Sequence, residues 1–200
     1  MVENQLRPQG VVDARVVDAM THVERERFLP PETRPLAYVD RAVSLGHGRF
    51  LPAPTVLGSL LTQMMPEPGQ RALVVGAGTG YAAAVLAHIG VEVVALEAEP
   101  ELIAHGRKLG IALVEGPLAA GYQQGASYNL ILIDGAVEVI PDAIVDQLAD
   151  GGRLGTALVD RGITRLIVGR KAGSAFGYLS IGDSGVPALP GFTRPEAFTF

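Results

Sequence analysis

Two hundred residues, 48% hydrophobic and 18% charged, suit one domain with a sizeable core. Sixteen basic residues against twenty-one acidic ones give a net charge of -5. The basic residues are scattered, which argues against a nucleic-acid partner. With no cysteine there is no disulfide, no thiolate nucleophile and no Cys-ligated zinc. No apolar stretch approaches the ~20 residues that span a bilayer, and "MVENQLRPQG" lacks the features of an export signal, so a cytoplasmic protein without a membrane partner is expected.

In chain order, the first seventy residues read as helical and irregular, punctuated by Pro8, Pro30, Pro31 and Pro35. "DARVVDAMTHVERERF" puts Val16, Val17, Met20 and Val23 on one helix face, with Asp13 as N-cap. "TVLGSLLTQMM" predicts a second helix through Val56, Leu57, Leu60, Leu61, Met64 and Met65, stopped by Pro66 and Pro68-Gly69. From Arg71 the rhythm changes. "ALVV" is a buried strand, Gly80 to Ile89 a helix closed by Gly90, and "VEVVAL" a second strand. A helix follows between Pro100 and Gly110, then the strands "IALV" and "YNLILID". Pro141 opens a helix through Ile144, Val145 and Leu148 that Gly151-Gly152 closes. Such alternation predicts βαβ units and a parallel sheet. "RLGTALV", "ITRLIVG" and "AFGYLSI" leave no room for crossover helices, so the sheet should end in antiparallel hairpins.

The most informative stretch is "RALVVGAGTGYAAAVLAHIGVEVVALE". Its glycines, Gly76, Gly78 and Gly80, depart from G-x-G-x-x-G, because the sixth position is Tyr81. A dinucleotide fold keeps that position small beside the pyrophosphate. Tyr81 therefore disfavours NAD or FAD, whereas a phosphate-free cofactor such as S-adenosylmethionine needs only backbone clearance. Glu97 ends the second strand where an acid accepts from two ribose hydroxyls, a role common to both cofactor types. A plain tight turn is the bland alternative.

The chain resembles the protein-L-isoaspartate O-methyltransferases over nearly its whole length. The resemblance rests on "MVENQLRP" with "VVDARVVDAM", "FLPPETRPLAYVD", "GAGTGYAAAVLA", "GAVEVIPDAIVDQLADGGRL" and the strand-rich tail. It implies an α/β, Rossmann-like S-adenosylmethionine-dependent methyltransferase fold: a parallel sheet ending in antiparallel hairpin strands, with an N-terminal helical extension. One domain, 1–200, would then comprise a substrate-side extension over 1–70 and a cofactor-binding core over 71–200. The implied activity is methylation of a carboxylate, with isoaspartyl residues of damaged proteins or peptides as acceptor. The implied cofactor residues are Gly76, Gly78, Gly80 and Glu97, with Pro117 and Leu118 walling an adenine slot.

Several positions depart from that family's pattern. Its loop G-Q-T-I-S-x-P corresponds here to Gly48-Arg49-Phe50-Leu51-Pro52-Ala53-Pro54. Pro52 replaces the serine and has neither hydroxyl nor N–H to donate, so no catalytic residue is assigned. Phe50 adds bulk, and Arg49 is either a guanidinium offered to an acceptor carboxylate or a solvated loop residue. Gly116-Pro117-Leu118 lacks the family's adenine-binding acid, and Val74 stands where an acid usually precedes the turn. An isoaspartyl carboxylate is ionised at neutral pH and needs no general base. Turnover can then rest on placing nucleophile and methyl in line. The rival is a catalytically impaired relative that binds the nucleoside or a protein partner.

Of the other candidates, Asp134 either contacts substrate or caps a turn with Gly135. His47, the histidine nearest the expected site, reads as a surface or loop residue in preference to a general base. His22, beside Asp18 and Glu26, and His105, beside Glu101, read as helix-surface pairs, and no metal site is expected. Phe192, Phe198 and Phe200 read as a packing strap over the sheet.

Overall fold

The computed structural model describes residues 1–194. Asp13 caps helix α1 (Ala14–His22), its carboxylate accepting from the N–H groups of Arg15 and Val16. The helix stops one residue short of expectation. Val23 is already extended, and Arg25–Phe28 forms a separate tight turn. A hairpin follows, β1 (Val43–Gly46) and β2 (Arg49–Leu51), and then α2 (Pro54–Met64). The family-like loop is therefore not irregular chain but the second hairpin strand and its exit. The hairpin turn uses His47 and Gly48 at φ 53° and 67°, the left-handed pair of a type I′ turn. In α2, Val56, Leu57, Leu60, Leu61 and Met64 are buried as the periodicity predicts, each contributing on the order of 2 kcal/mol. Met65 instead turns left-handed (φ 46°) and ends the helix, exposed.

The alternating part comprises β3 (Arg71–Val75), α3 (Tyr81–Ile89), β4 (Glu92–Glu97), α4 (Pro100–Lys108), β5 (Leu113–Glu115), β6 (Tyr128–Val137) and α5 (Asp142–Val145). It ends in β7 (Leu148–Asp160), β8 (Ile163–Ala172) and β9 (Ala175–Asp183). The sheet order is β5-β4-β3-β6-β7-β8-β9. Pairing is parallel up to β7 and antiparallel from β7 to β9. The period of two in β3 sends Ala72 and Val74 into the core beneath α1, α2 and α3, and Leu73 and Val75 into the core of the opposite face. After β3 the chain builds outward to β4 on one side and later returns to β6 on the other. The strand order reverses there, which opens a crevice at the strands' C-terminal ends.

The helix expected after Pro141 is one turn long, and Leu148 belongs to β7. The buried Gln147 side chain accepts from Tyr122 N–H and donates to the carbonyls of Ala120 and Ala143, which pins the chain beside β6. Gly151-Gly152 does not close a helix. It accommodates an irregularity in the β6–β7 pairing, where a Cβ on Gly152 would meet the Ala149 and Tyr128 carbonyls at 2.8 and 3.0 Å. Past β9 the strap takes shape: Leu189 N–H donates to Ala136 O, Glu138 N–H donates to Phe192 O, and Phe192 is buried. Phe198 and Phe200 lie outside the described residues. No helix among the described residues is long and apolar enough to cross a membrane.

Candidate functional site

The turn after β3 is built on conformations that favour glycine. Gly76, Gly78 and Gly80 have φ of 72°, 57° and 98°. Gly76 and Ala77 donate to Leu96 O at 2.9 and 3.0 Å, fastening the turn to β4. From behind, Gly106 of α4 approaches so closely that a Cβ there would lie 2.7 Å from Thr79 O and strike Leu113.

Glu97, at the end of β4, is fully buried. One carboxylate oxygen accepts from Gly78 N–H at 2.6 Å, the other from Ala98 and Glu99 N–H at 2.8 and 3.2 Å. Arg49 Nη2 lies 3.1 Å from the first of these oxygens and also donates to Gly76 O at 2.7 Å. Arg49 is 3% exposed. The reading of Arg49 as a solvated loop residue is thus corrected, because strand alternation in β2 points its side chain inward, as it does that of Leu51.

Tyr81 fills its position with a buried ring that meets Phe28 edge-on at 5.5 Å and lies 4.9 Å from the Arg25 guanidinium. Burial raises the Tyr81 pKa and lowers that of Arg25. Arg25 Nε donates to Ala37 O at 2.7 Å, and its Nη2 donates to the carbonyl of Pro52. Pro52, unable to donate, is held as an acceptor. Sequence reasoning missed Arg25 altogether, since its partners Ala37 and Pro52 lie 12 and 27 residues away and meet it only on folding.

Asp134 does not cap a turn, because β6 continues through Gly135. Its carboxyl is buried, and burial pushes its pKa up to about 7, opposed by Arg49 and Arg25 and reinforced by Glu97. With Arg49, Phe50, Pro52 and Leu189 it lines a space of about 10 Å³, room for roughly one water. A wider cleft of about 620 Å³, lined by Asp142, Phe176, Tyr178 and Arg194, involves none of the expected site residues.

The structure thus gathers Gly76, Gly78, Glu97 and Arg49 into direct contact, with Pro52 and Asp134 alongside. Gly80 starts α3, where a Cβ would meet Ile111 at 2.8 Å. Gly48 is exposed at the hairpin tip, Phe50 half-buried, and Leu51 and Pro54 buried. At the end of β5, Pro117 is exposed and Leu118 shares a buried cluster with Leu96. Val74 is wholly buried within β3.

The histidines stay at the surface. His47 Nε2 lies 3.0 Å from Glu101. His105 Nε2 lies 3.2 Å from Arg27 O rather than on Glu101. His22 keeps Asp18, but its ring also stacks on His88 at 5.2 Å, and His88 Nε2 lies 3.2 Å from Asp18 Oδ2. All three of these residues are exposed, and this cross-helix cluster was invisible to spacing along one helix.

The chain matches the family model described as Protein-L-isoaspartate(D-aspartate) O-methyltransferase over residues 1–174. It is 40% identical over 161 residues to Protein-L-isoaspartate O-methyltransferase 2 of Anaeromyxobacter sp. (strain Fw109-5), covering 77% of this chain and 66% of that one. Identity to the Protein-L-isoaspartate O-methyltransferase of Aeropyrum pernix is 42% over 166 residues, covering 77% and 64%. For the protein of the same name from Gloeobacter violaceus it is 39% over 177 residues, covering 83% and 86%. The chain therefore spans just under two thirds of the length of the first two relatives. A solved structure of a protein-L-isoaspartate O-methyltransferase is similar at TM-score 0.79 and 21% identity, covering 92% of this chain and 63% of that one. A Plasmodium falciparum β-aspartate methyltransferase in complex with S-adenosyl-L-homocysteine gives TM-score 0.79 at 20% identity, covering 92% and 94%. At such identities the structural likeness shows the fold.

Proposed function

This chain belongs to the protein-L-isoaspartate(D-aspartate) O-methyltransferase family, and on that premise we propose that it methylates a carboxylate from S-adenosylmethionine, with L-isoaspartyl residues of proteins or peptides as acceptor. The observation that carries the reading is Glu97: a buried carboxylate at the end of β4, beside a left-handed glycine turn, at the reversal of strand order.

These residues fit a nucleoside cofactor. The three atoms nearest a Cβ on Gly76 would all be side-chain ends, Arg49 Nη2 and the two Leu189 methyls, at 2.9–3.0 Å. That face of the turn is therefore bounded by groups able to move aside, while the turn behind is fixed by backbone. Glu97 would accept from the ribose hydroxyls, with Gly76, Gly78 and Gly80 giving the backbone its close approach. Leu118 and Pro117 would flank the adenine, and Gly48 to Pro54 would separate cofactor from acceptor. The cofactor, when bound, supplies an activated methyl group. The acceptor carboxylate, ionised at neutral pH, needs no general base, so the protein's task is alignment. Tyr81 adds weight against a dinucleotide, because its buried ring holds Arg25, and through it the Pro52 carbonyl, where a pyrophosphate would need a small residue.

We read 1–70 as the substrate-side extension of a single domain and the protein as cytoplasmic, with protein or peptide as its partner and no nucleic acid. The test is methyl transfer to an L-isoaspartyl peptide and to its L-aspartyl twin, with binding of S-adenosylmethionine measured by calorimetry. Methylation confined to the isoaspartyl peptide is the expected result. A protein that binds the cofactor yet leaves that peptide unmodified would overturn the acceptor.

A further inference from the structure

A carboxylate offers about four acceptor positions; in Glu97 three take backbone hydrogen bonds and an ion pair covers the rest. Gly78, Ala98 and Glu99 contribute backbone N–H groups, and the Arg49 guanidinium pairs with the carboxylate at 3.1 Å while donating to Gly76 O. Ribose needs an open position, and the one that Arg49 covers is the one no backbone N–H holds. The three N–H groups belong to the turn and strand end, whereas Arg49 comes from a different element on a side chain with several rotatable bonds. The guanidinium is also the group that stands over the Cα of Gly76.

We propose that Arg49 is an exchangeable internal occupant of the nucleoside site. It pairs with Glu97 until ribose displaces it, and the freed guanidinium then takes a carboxylate from a bound molecule. This rests on the reading of Glu97 as the ribose acceptor. Asp134 lines the same small space but is held toward its neutral form by burial. Asp134 therefore offers a displaced guanidinium only a part-charged partner, and an incoming anion satisfies that buried cation more fully. Two sources have that chemistry: the amino-acid end of the cofactor and the acceptor's own carboxylate. A planar fork suits either.

The test compares wild type with Arg49→Gln, using two nucleosides in calorimetry. Methylthioadenosine has the adenosine but no carboxylate, and S-adenosylhomocysteine has both. With the internal competitor gone, Arg49→Gln should bind methylthioadenosine about tenfold more tightly. Equal or weaker binding would overturn the proposal. Failure of either protein to bind either nucleoside would instead refute the cofactor reading, and the proposal with it. The carboxylate's source follows from a second comparison. If S-adenosylhomocysteine loses its advantage over methylthioadenosine in the variant, the cofactor supplies the carboxylate. If that advantage persists while KM for the isoaspartyl peptide rises, the acceptor does. If neither changes, the second half of the proposal is wrong. Should the variant fold poorly, wild type labelled with 15N in its arginine side chains answers alone. The two buried guanidinia, Arg25 and Arg49, should show hindered rotation and slow exchange, and saturating methylthioadenosine should relieve that of Arg49, assigned by its contact with Gly76; an unchanged Arg49 signal would overturn the exchange.

Discussion

Removing the two partners of the buried pair singly and together gives a prediction in which the geometry fixes both size and asymmetry. At 3.1 Å and an effective dielectric constant of about 20, the Arg49–Glu97 attraction is about 5 kcal/mol, before the cost of desolvating both charges. Arg49→Gln leaves Glu97 with three N–H donors, so its charge stays well solvated by the backbone and the loss should be about 2 kcal/mol. Glu97→Gln leaves a buried guanidinium with the Gly76 carbonyl as its remaining hydrogen-bond partner. That variant should lose about 3–5 kcal/mol. The double variant strands neither charge and should cost less than the sum, with a coupling of about 2 kcal/mol. Urea unfolding at pH 7 without nucleoside measures all four proteins. Additivity within about 0.5 kcal/mol, or a smaller loss for Glu97→Gln than for Arg49→Gln, would refute the reasoning. Arg49→Gln is thus expected to weaken the fold while tightening nucleoside binding, a pair of opposite signs that general damage to the protein does not produce.

Asp134 titrates near 7 when folded and near 3.8 when unfolded, so between those values the folded state holds a proton that the unfolded state has released. Its contribution is complete below pH 4 and fades as pH rises through 7, by at most about 4 kcal/mol. Asp134→Asn should match wild type near pH 4 and exceed its stability at pH 8, as followed by urea unfolding; a gap that does not change with pH would sink the assignment. Pro52→Ser returns a hydroxyl to the space shared with Asp134 and Arg49. A hydrogen bond to a charged group at that point, about 1.5–3 kcal/mol, should raise kcat for the isoaspartyl peptide about tenfold, and an unchanged kcat would show that the wall has been rebuilt for another acceptor.

The sheet was legible because its signals are local. Alternation in β3, the Asp13 cap and the Gly90 stop each depend on neighbours within a turn or a strand. The β1–β2 hairpin was not, because its strands are three and four residues long and its turn carries His-Gly rather than Asn-Gly. Gly151-Gly152 misled for a related reason: glycine that ends a helix and glycine that lets two backbones meet look identical in a sequence. The candidate site divides in the same way. Glu97 and the glycines announce themselves by position, whereas the burial of Arg49, the Arg25–Pro52 contact and the meeting of His22 with His88 arise only when distant segments pack.

Gly106 carries a consequence for how the site can open. A glycine inside a helix costs about 1 kcal/mol relative to alanine, and α4 keeps one because any side chain there would collide with the Thr79 carbonyl and Leu113. Helix and glycine turn are thereby wedged together without slack, and the hydrogen bonds to Leu96 lock the turn from its other side. The floor of the site has nowhere to retreat. Room for a ligand has to come from the facing side, from the Arg49 side chain on the short hairpin and from Leu189 on the segment after β9, so the pliable wall and the unyielding floor are different parts of the chain.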